Sequence, residues 1–130
     1  DWFAAPQPDW PTSAVVTGFP RLRTPAESPL PEAVQAFLST GSPPLLVTAG
    51  TGMTQASAFF ACALQAVTAI QRRALFVTRF PDTLPASLPA EVMAADHLPF
   101  DRLLPPVAAL AYHGGGAGGR HSTTHRAVRL

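Results

Sequence analysis

The 130-residue sequence has few charged residues, one cysteine and no long apolar run. Charged residues make up 13% of the chain and the net charge is +1, whereas about a quarter of the residues in an average soluble domain are charged. Because nucleic-acid-binding proteins present a strongly basic face, this balance argues against nucleic acid as a partner. No apolar run approaches the roughly 20 residues of a membrane span. Residues 1–10 also lack the pattern of a signal peptide, so we expect a cytoplasmic protein.

Residues typical of metal and nucleophilic sites are equally scarce. A single cysteine, Cys62, excludes an internal disulfide, and we expect it to be a small core residue of a helix because no base accompanies it. His121 and His125 have the i, i+4 spacing of helical metal ligands, but no other feature supports a site there, so no metal is expected. His97 is interpreted as a surface residue or a loop hydrogen-bonding group.

Proline, in contrast, is abundant, and its positions divide the chain. The 15 prolines cluster at 6–31, 43–44, 81–89 and 99–106. Because proline ends helices and avoids central strands, these clusters are interpreted as connections. Three regions follow: an extended linker or edge segment at 1–30, a folded domain at 31–119 and an atypical tail at 120–130. In the first region, Trp2, Trp10 and Phe19 are expected to be apolar anchors.

The apolar segments between the prolines alternate between strand and helix patterns. Four short runs are predicted to be strands, at 45–49, 74–79, 91–96 and 107–112, and the first is typical of a strand buried on both faces. Helices are predicted at 30–40, 54–70 and 101–104. Strands that alternate with helices pair in parallel through right-handed crossovers. The predicted fold class is therefore α/β, a Rossmann-like parallel sheet flanked by helices.

Side-chain spacing predicts which helix faces are buried. The first helix places Val34, Phe37 and Leu38 on one face. In the second helix a stripe of six residues is expected to face the sheet: Phe59, Phe60, Ala63, Leu64, Val67 and Ile70. Asp96 and Asp101 are interpreted as turn and helix-start residues rather than as a catalytic pair.

Residues 107–119 carry the clearest functional pattern. An apolar run stops abruptly in glycines, with His113 at the junction. A strand that leads into a glycine loop can present bare N–H groups to a phosphate, and the histidine can add a hydrogen bond or a positive charge. The alternative is a flexible glycine-rich linker. Gly50, Thr51 and Gly52 form a second small-residue turn after the first strand, which could hold a phosphate or a sugar or be a plain turn.

Four motifs, in this order, resemble the C-terminal half of GT-B glycosyltransferases, in particular the family 1 enzymes that use nucleotide-activated sugars. They are Trp10-Pro11 with Val16-Thr-Gly-Phe19, then Pro43-Pro-Leu-Leu-Val-Thr-Ala-Gly-Thr-Gly52, then Leu98-Pro-Phe-Asp-Arg-Leu-Leu-Pro105, then Tyr112-His-Gly-Gly115. The resemblance covers nearly all of residues 9–118. It implies that 31–119 is a half-domain that binds a nucleotide-sugar donor, as part of an enzyme that moves the sugar to an acceptor hydroxyl.

The resemblance also implies roles for single residues. His113 would contact the donor diphosphate, and Gly114, Gly115 and Gly116 would offer backbone amides to it. The turn of Gly50, Thr51 and Gly52 would lie near the donor, and Pro99 and Phe100 would line the nucleobase pocket. The donor would be linked to UDP or dTDP, without a separate cofactor. No catalytic residue is assigned, because the base that activates the acceptor belongs to the N-terminal domain in relatives.

The sequence departs from the family pattern after Gly115. Relatives continue as Gly-Gly-x-Gly-Thr into a helix, whereas this chain reads Gly114-Gly-Gly-Ala-Gly-Gly-Arg120 and does not show the acidic–glutamine pair that grips the donor sugar. We therefore expect an incomplete domain, truncated or altered in frame near residue 116, that is inactive without its N-terminal acceptor domain. A sheet that ends at its fourth strand would expose an edge, which predicts a homodimer.

Two other functions fit parts of the pattern. The same sheet could serve as a non-catalytic nucleotide-binding or protein-interaction module. A dehydrogenase-type dinucleotide site fits less well, because Gly52 is followed by Met-Thr-Gln instead of a third glycine. Arg79 also stands where such proteins carry an acidic residue at the end of the second strand.

Overall fold

A computed structural model describes residues 7–15, 29–113 and 127–129. Its helices and strands follow the predicted order, with somewhat shorter bounds, and the loop after the second strand contains a 3-10 turn at Pro81–Thr83. The helices are α1 (Glu32–Ser39), α2 (Ser57–Ala69) and α3 (Phe100–Leu103). The strands are β1 (Leu45–Thr48), β2 (Ala74–Val77), β3 (Val92–Ala95), β4 (Ala109–Tyr112) and β5 (Ala127–Arg129).

All strand pairs are parallel, in the order β3-β2-β1-β4-β5. The central strand is β1, where Leu46 lies opposite Leu75 on one side and Leu110 on the other. These three leucines are fully buried. The α/β fold class predicted from the alternation of strands and helices is confirmed.

The fifth strand was not predicted. Residues 120–130 were expected to be an atypical tail, with β4 at the edge of the sheet. Instead, Leu110 of β4 pairs with Ala127, and Tyr112 pairs with Arg129. Because β5 is only three residues long, it has no periodicity of its own, and its pairing with β4 defines it. The expected exposed edge at β4 is therefore wrong: this strand has a neighbour on both sides.

Helices cover both faces of the sheet. Val34 of α1 and Leu103 of α3 pack with Leu46, Leu75 and Leu110 on one face. The other face is covered by α2, which contributes three buried residues to a second cluster: Phe60, Ala63 and Val67. Successive strand residues alternate between the two clusters, as a pleated strand with both faces covered requires. The predicted inner face of α1 is confirmed, since Phe37 and Leu38 also pack against the first cluster.

Two predictions on α2 are wrong. Cys62 was expected in the core but is exposed, because two residues after buried Phe60 the helix has turned to its opposite side. Ile70 was placed in the inner stripe but is 57% exposed. It occupies the C-cap position, where the chain leaves the helix.

The proline-rich segment at 7–15 forms two turns and contains no regular element. The N–H of Trp10 donates to the carbonyl of Gln7 at 3.2 Å, and that of Ala14 donates to the carbonyl of Pro11 at 2.9 Å. Trp10 is 38% exposed, and its role as an apolar anchor stays a prediction. Trp2 and Phe19 lie outside the described residues. Among the helices that the structure describes, none has the length and apolar character of a membrane span.

Candidate functional site

The strand order creates a topological switch point between β1 and β4. After β1 the chain adds β2 and β3 on one side of the sheet, and it then crosses back to place β4 on the other side of β1. Ligands of open α/β sheets bind in the crevice where neighbouring connections diverge in this way, at the carboxyl ends of the strands. Since Thr48 pairs with Tyr112, the residues that follow these two strands leave the sheet side by side.

A tight turn directs the chain away from the end of β1. Thr48 is 6% exposed, and its hydroxyl oxygen accepts a hydrogen bond from the N–H of Gly50 at 3.1 Å. Gly50 has a φ of +91°, a conformation that L side chains rarely adopt. The sequence pattern Thr-Ala-Gly therefore has a direct structural reason here: the threonine accepts the hydrogen bond and the glycine permits the turn.

The loop after this turn leads to the start of α2. Gly50, Thr51 and Gly52 are exposed at the carboxyl edge, as a ligand contact would require. Helix α2 begins after Ala56, which provides no side-chain cap. The first N–H groups of a helix have no acceptor within the helix and carry its positive dipole end. The loop and the first turn of α2 therefore form a region suited to an anion.

His113 follows β4 and reaches this region. Its Cε1 lies 3.9 Å from the position that a Cβ on Gly50 would occupy. Its ring meets that of Phe59, in the first turn of α2, edge to face, with 6.5 Å between the centroids. Three elements thus converge at one point: the end of β1, the start of α2 and the end of β4. The structure brings together His113 and Gly50, two of the residues singled out from the sequence.

Phe59 was missed as a site residue. Its place in the apolar stripe of α2 predicted only a core role. It is half-buried, packs against the cluster beneath α2, and also meets the His113 ring. The signal that could have identified it is its position in the first turn of a helix that follows a strand and a glycine turn.

Pro99 and Phe100 lie on a different connection, which leaves the sheet after β3. Both are half-buried. The carbonyl of Pro99 accepts hydrogen bonds from the N–H groups of Arg102 and Leu103, at 3.1 and 3.2 Å, and so starts α3. Phe100 packs against the core cluster beneath α1 and α3. These residues follow the carboxyl end of β3, two strands away from β1.

Charged groups of both signs follow the strands at this edge. Arg79, after β2, and Asp96, after β3, are exposed. Asp96 accepts the N–H of His97 through its carboxylate at 2.6 Å, which agrees with its predicted role in a turn. Within the described ranges, no three His, Cys, Asp or Glu side chains are grouped to hold a metal ion. Gly114, Gly115 and Gly116, together with His121 and His125, lie outside these ranges.

Comparison with known proteins finds a similarity to part of an enzyme. No protein-family model matches the chain. Over 127 residues it is 32% identical to the O-mycaminosyltylonolide 6-deoxyallosyltransferase of Streptomyces fradiae. The match covers 95% of this chain but 28% of that enzyme. The chain is therefore similar, over nearly its whole length, to a little more than a quarter of a glycosyltransferase.

Proposed function

We propose that this chain is the donor-binding part of a glycosyltransferase of the GT-B type. It binds a nucleoside-diphosphate sugar, linked to UDP or dTDP, in the crevice between the carboxyl ends of β1 and β4. The observation that carries the proposal is the convergence of His113 with Gly50 and the first turn of α2 at the switch point of the sheet. The similarity to a 6-deoxyallosyltransferase supports the same lineage.

The geometry suits a diphosphate because it combines two kinds of donor. A side-chain imidazole can donate a hydrogen bond to a phosphate oxygen, and the uncapped start of α2 offers backbone N–H groups and the positive end of a helix dipole. We propose that the backbone amides of Gly114, Gly115 and Gly116 also donate hydrogen bonds to the diphosphate. Fixed donors of this kind stabilise negative charge as it develops on a leaving group.

The proposed reaction places that charge on the nucleoside diphosphate. The bond between the anomeric carbon of the sugar and the diphosphate oxygen breaks, and an acceptor oxygen bonds to the same carbon. A base takes the proton of the acceptor hydroxyl. The resemblance assigns that base to an N-terminal acceptor domain, so we expect the 130-residue chain to bind the donor without transferring its sugar.

The proposal specifies two parts of the donor, the nucleobase and the sugar. Pro99 and Phe100 are proposed to line the nucleobase pocket, on the loop that follows β3. The name of the Streptomyces enzyme specifies a 6-deoxyallosyl group as the sugar that it transfers. We therefore propose a hexose or deoxyhexose as the sugar bound by this chain, and both a UDP-hexose and a dTDP-6-deoxyhexose are appropriate probes.

Titration calorimetry of the chain with UDP and with dTDP tests the binding. We expect one of them to bind, and His113→Ala to weaken that binding by roughly tenfold to a hundredfold, the range for a hydrogen bond to a charged group. Glu91→Ala is the control, because Glu91 is exposed directly before β3, at the edge of the sheet opposite the crevice, and should leave the affinity unchanged. A wild-type chain that binds neither nucleotide, or equal losses in the two variants, would contradict the proposal.

A transfer assay separates the donor-binding part of an enzyme from a complete one. The chain is incubated with UDP-glucose or a dTDP-6-deoxyhexose and a set of acceptor alcohols, and released nucleotide is measured. We expect no release above background. Efficient sugar transfer by the chain alone would show that the acceptor base lies within these 130 residues, against this part of the proposal.

A further inference from the structure

The ring of Phe59 meets the imidazole of His113 in an edge-to-face arrangement. Their centroids are 6.5 Å apart and the planes are inclined by 72°. Aromatic pairs prefer this geometry, because the electron-rich face of one ring attracts the edge of the other. The contact joins the first turn of α2 to the residue that follows β4. These two elements are far apart in the sequence.

Phe59 is itself held in place by the core. Its ring lies 5.3 Å from that of Phe60 at 77°, and Phe60 lies 5.4 Å from Phe76 of β2. Both Phe60 and Phe76 are fully buried. A series of ring contacts thus extends from the middle of the sheet to His113, and the end of the series that reaches the crevice is supported by close-packed side chains.

Gly50 is the second neighbour of the His113 imidazole, after Phe59. The Cε1 of His113 lies close to the turn after β1, 3.9 Å from where a Cβ on Gly50 would stand, which is an ordinary van der Waals distance. His113 is half-buried, so its ring is partly covered by these neighbours and partly open to the crevice. Phe59 and Gly50 together restrict the orientations available to it.

We infer that Phe59 is a positioning residue, which holds the His113 imidazole in the orientation that meets the diphosphate of a bound nucleotide. This inference rests on the proposed function. Phe59 acts through His113 and has no contact of its own with the nucleotide. When the Phe59 ring is lost, the imidazole is free to turn. Nucleotide binding then has to restrict its orientation, which costs conformational entropy and weakens the affinity. An aromatic pair of this kind corresponds to roughly a threefold to tenfold change in affinity.

Proton NMR of the imidazole groups in the nucleotide-free chain tests the contact between the two rings, with His113→Ala used to assign the His113 signals, and nucleotide affinity tests whether this contact positions the imidazole. Phe59→Leu should shift the His113 ring resonances, because the ring current of the phenyl group is lost, and Phe59→Tyr should restore them. Phe60→Leu is the comparison variant: it removes a ring that supports Phe59 and lowers the melting temperature, but it keeps the ring that His113 meets, so its shift of the His113 resonances should be smaller. Affinity for UDP or dTDP should fall in Phe59→Leu and be recovered in Phe59→Tyr.

Each outcome decides the inference. Unchanged His113 resonances in Phe59→Leu, or an equally large shift in Phe60→Leu, would overturn it. An unchanged nucleotide affinity in Phe59→Leu would also overturn it. If the wild-type chain binds neither nucleotide, the proposed function fails. The inference that Phe59 orients His113 toward a diphosphate then fails with it. The resonances of the free chain then still decide whether Phe59 contacts His113, so the failure of the proposed function is distinguished from the failure of the ring contact.

Discussion

The guanidinium group of Arg73 lies 4.0 Å above the ring of Phe37 and, through Nη2, donates a hydrogen bond of 2.5 Å to the carbonyl of the same residue. Nη1 donates to the carbonyls of Thr40 and Ser42. One side chain at the start of β2 therefore satisfies carbonyl groups at and beyond the C-terminus of α1. Helix ends leave such carbonyls without partners in the helix, and a cation there also opposes the helix dipole.

Arg73→Ala should destabilise the protein by about 2 kcal/mol, the scale of hydrogen bonds to a charged group combined with a cation–π contact. Arg73→Lys should recover less than half of this loss, because an ammonium group cannot reproduce the planar fork that spans several carbonyls. The free energy of unfolding is measured by urea denaturation. Arg79→Ala is the control: Arg79 is exposed, and its replacement should change stability by less than about 0.5 kcal/mol. Equal effects at the two arginines would contradict the capping role.

Glycine-to-alanine variants should show which glycines are required for a positive φ and which are not. Gly41 and Gly50 have φ values of +68° and +91°, whereas Gly52 does not adopt a positive φ and has open space around it. We expect Gly41→Ala and Gly50→Ala to cost about 1–2 kcal/mol each, and Gly52→Ala to be neutral or stabilising by less than about 1 kcal/mol. Denaturation midpoints measure the difference. A loss at Gly52 as large as at Gly50 would show that strain is not the cause.

Thr48 and Thr78 form matching turns at the ends of β1 and β2, so they offer a paired test of the site. Each hydroxyl oxygen accepts an N–H two residues later at 3.1 Å, from Gly50 and from Phe80, and each threonine is buried. Thr→Val at either position should cost about 1 kcal/mol, since an N–H loses its acceptor. Only Thr48→Val should also shift the His113 resonances and weaken nucleotide binding. Equal binding losses in both variants would argue that stability, not site geometry, controls affinity.

The homodimer predicted from the sequence remains a prediction, although its surface changes. With β4 paired on both sides, β3 and β5 are the outer strands of the described sheet. Outer strands have unpaired backbone groups that can join a second copy. Light scattering during size-exclusion chromatography should give a mass that rises with concentration from that of the 13.7 kDa chain. A constant monomer mass at high concentration would rule the dimer out.

Much of the fold could be predicted because its signals are local. Leu45–Thr48 and Ala74–Val77 are continuous apolar runs between turn-forming residues, and such runs are typical of strands buried on both faces. The spacing of Phe60, Leu64 and Val67 predicted the inner face of α2; Phe60 and Val67 are buried, and Leu64 is half-buried. These patterns depend on repeat length and side-chain type, which the sequence contains in full.

Strand β5 was missed and the exposure of Cys62 was predicted wrongly, for different reasons. Cys62 lies in a helix rich in small apolar residues, so composition alone does not separate its two sides. The pairing of β5 depends on hydrogen bonds to the backbone of β4, about which side chains carry little information. The proposed diphosphate contacts of Gly114–Gly116 and the base pocket at Pro99 and Phe100 remain predictions.

By itself, the sequence determined the α/β class, the order of strands and helices, and the presence of a glycine turn and a histidine after two different strands. Only the tertiary structure decided that β1 and β4 are neighbours, that His113 therefore lies beside Gly50, and that Phe59 meets its imidazole. The physical reason is range. Strand and helix patterns arise from neighbours along the chain, whereas the site depends on residues more than 50 positions apart that approach only when the whole sheet has formed.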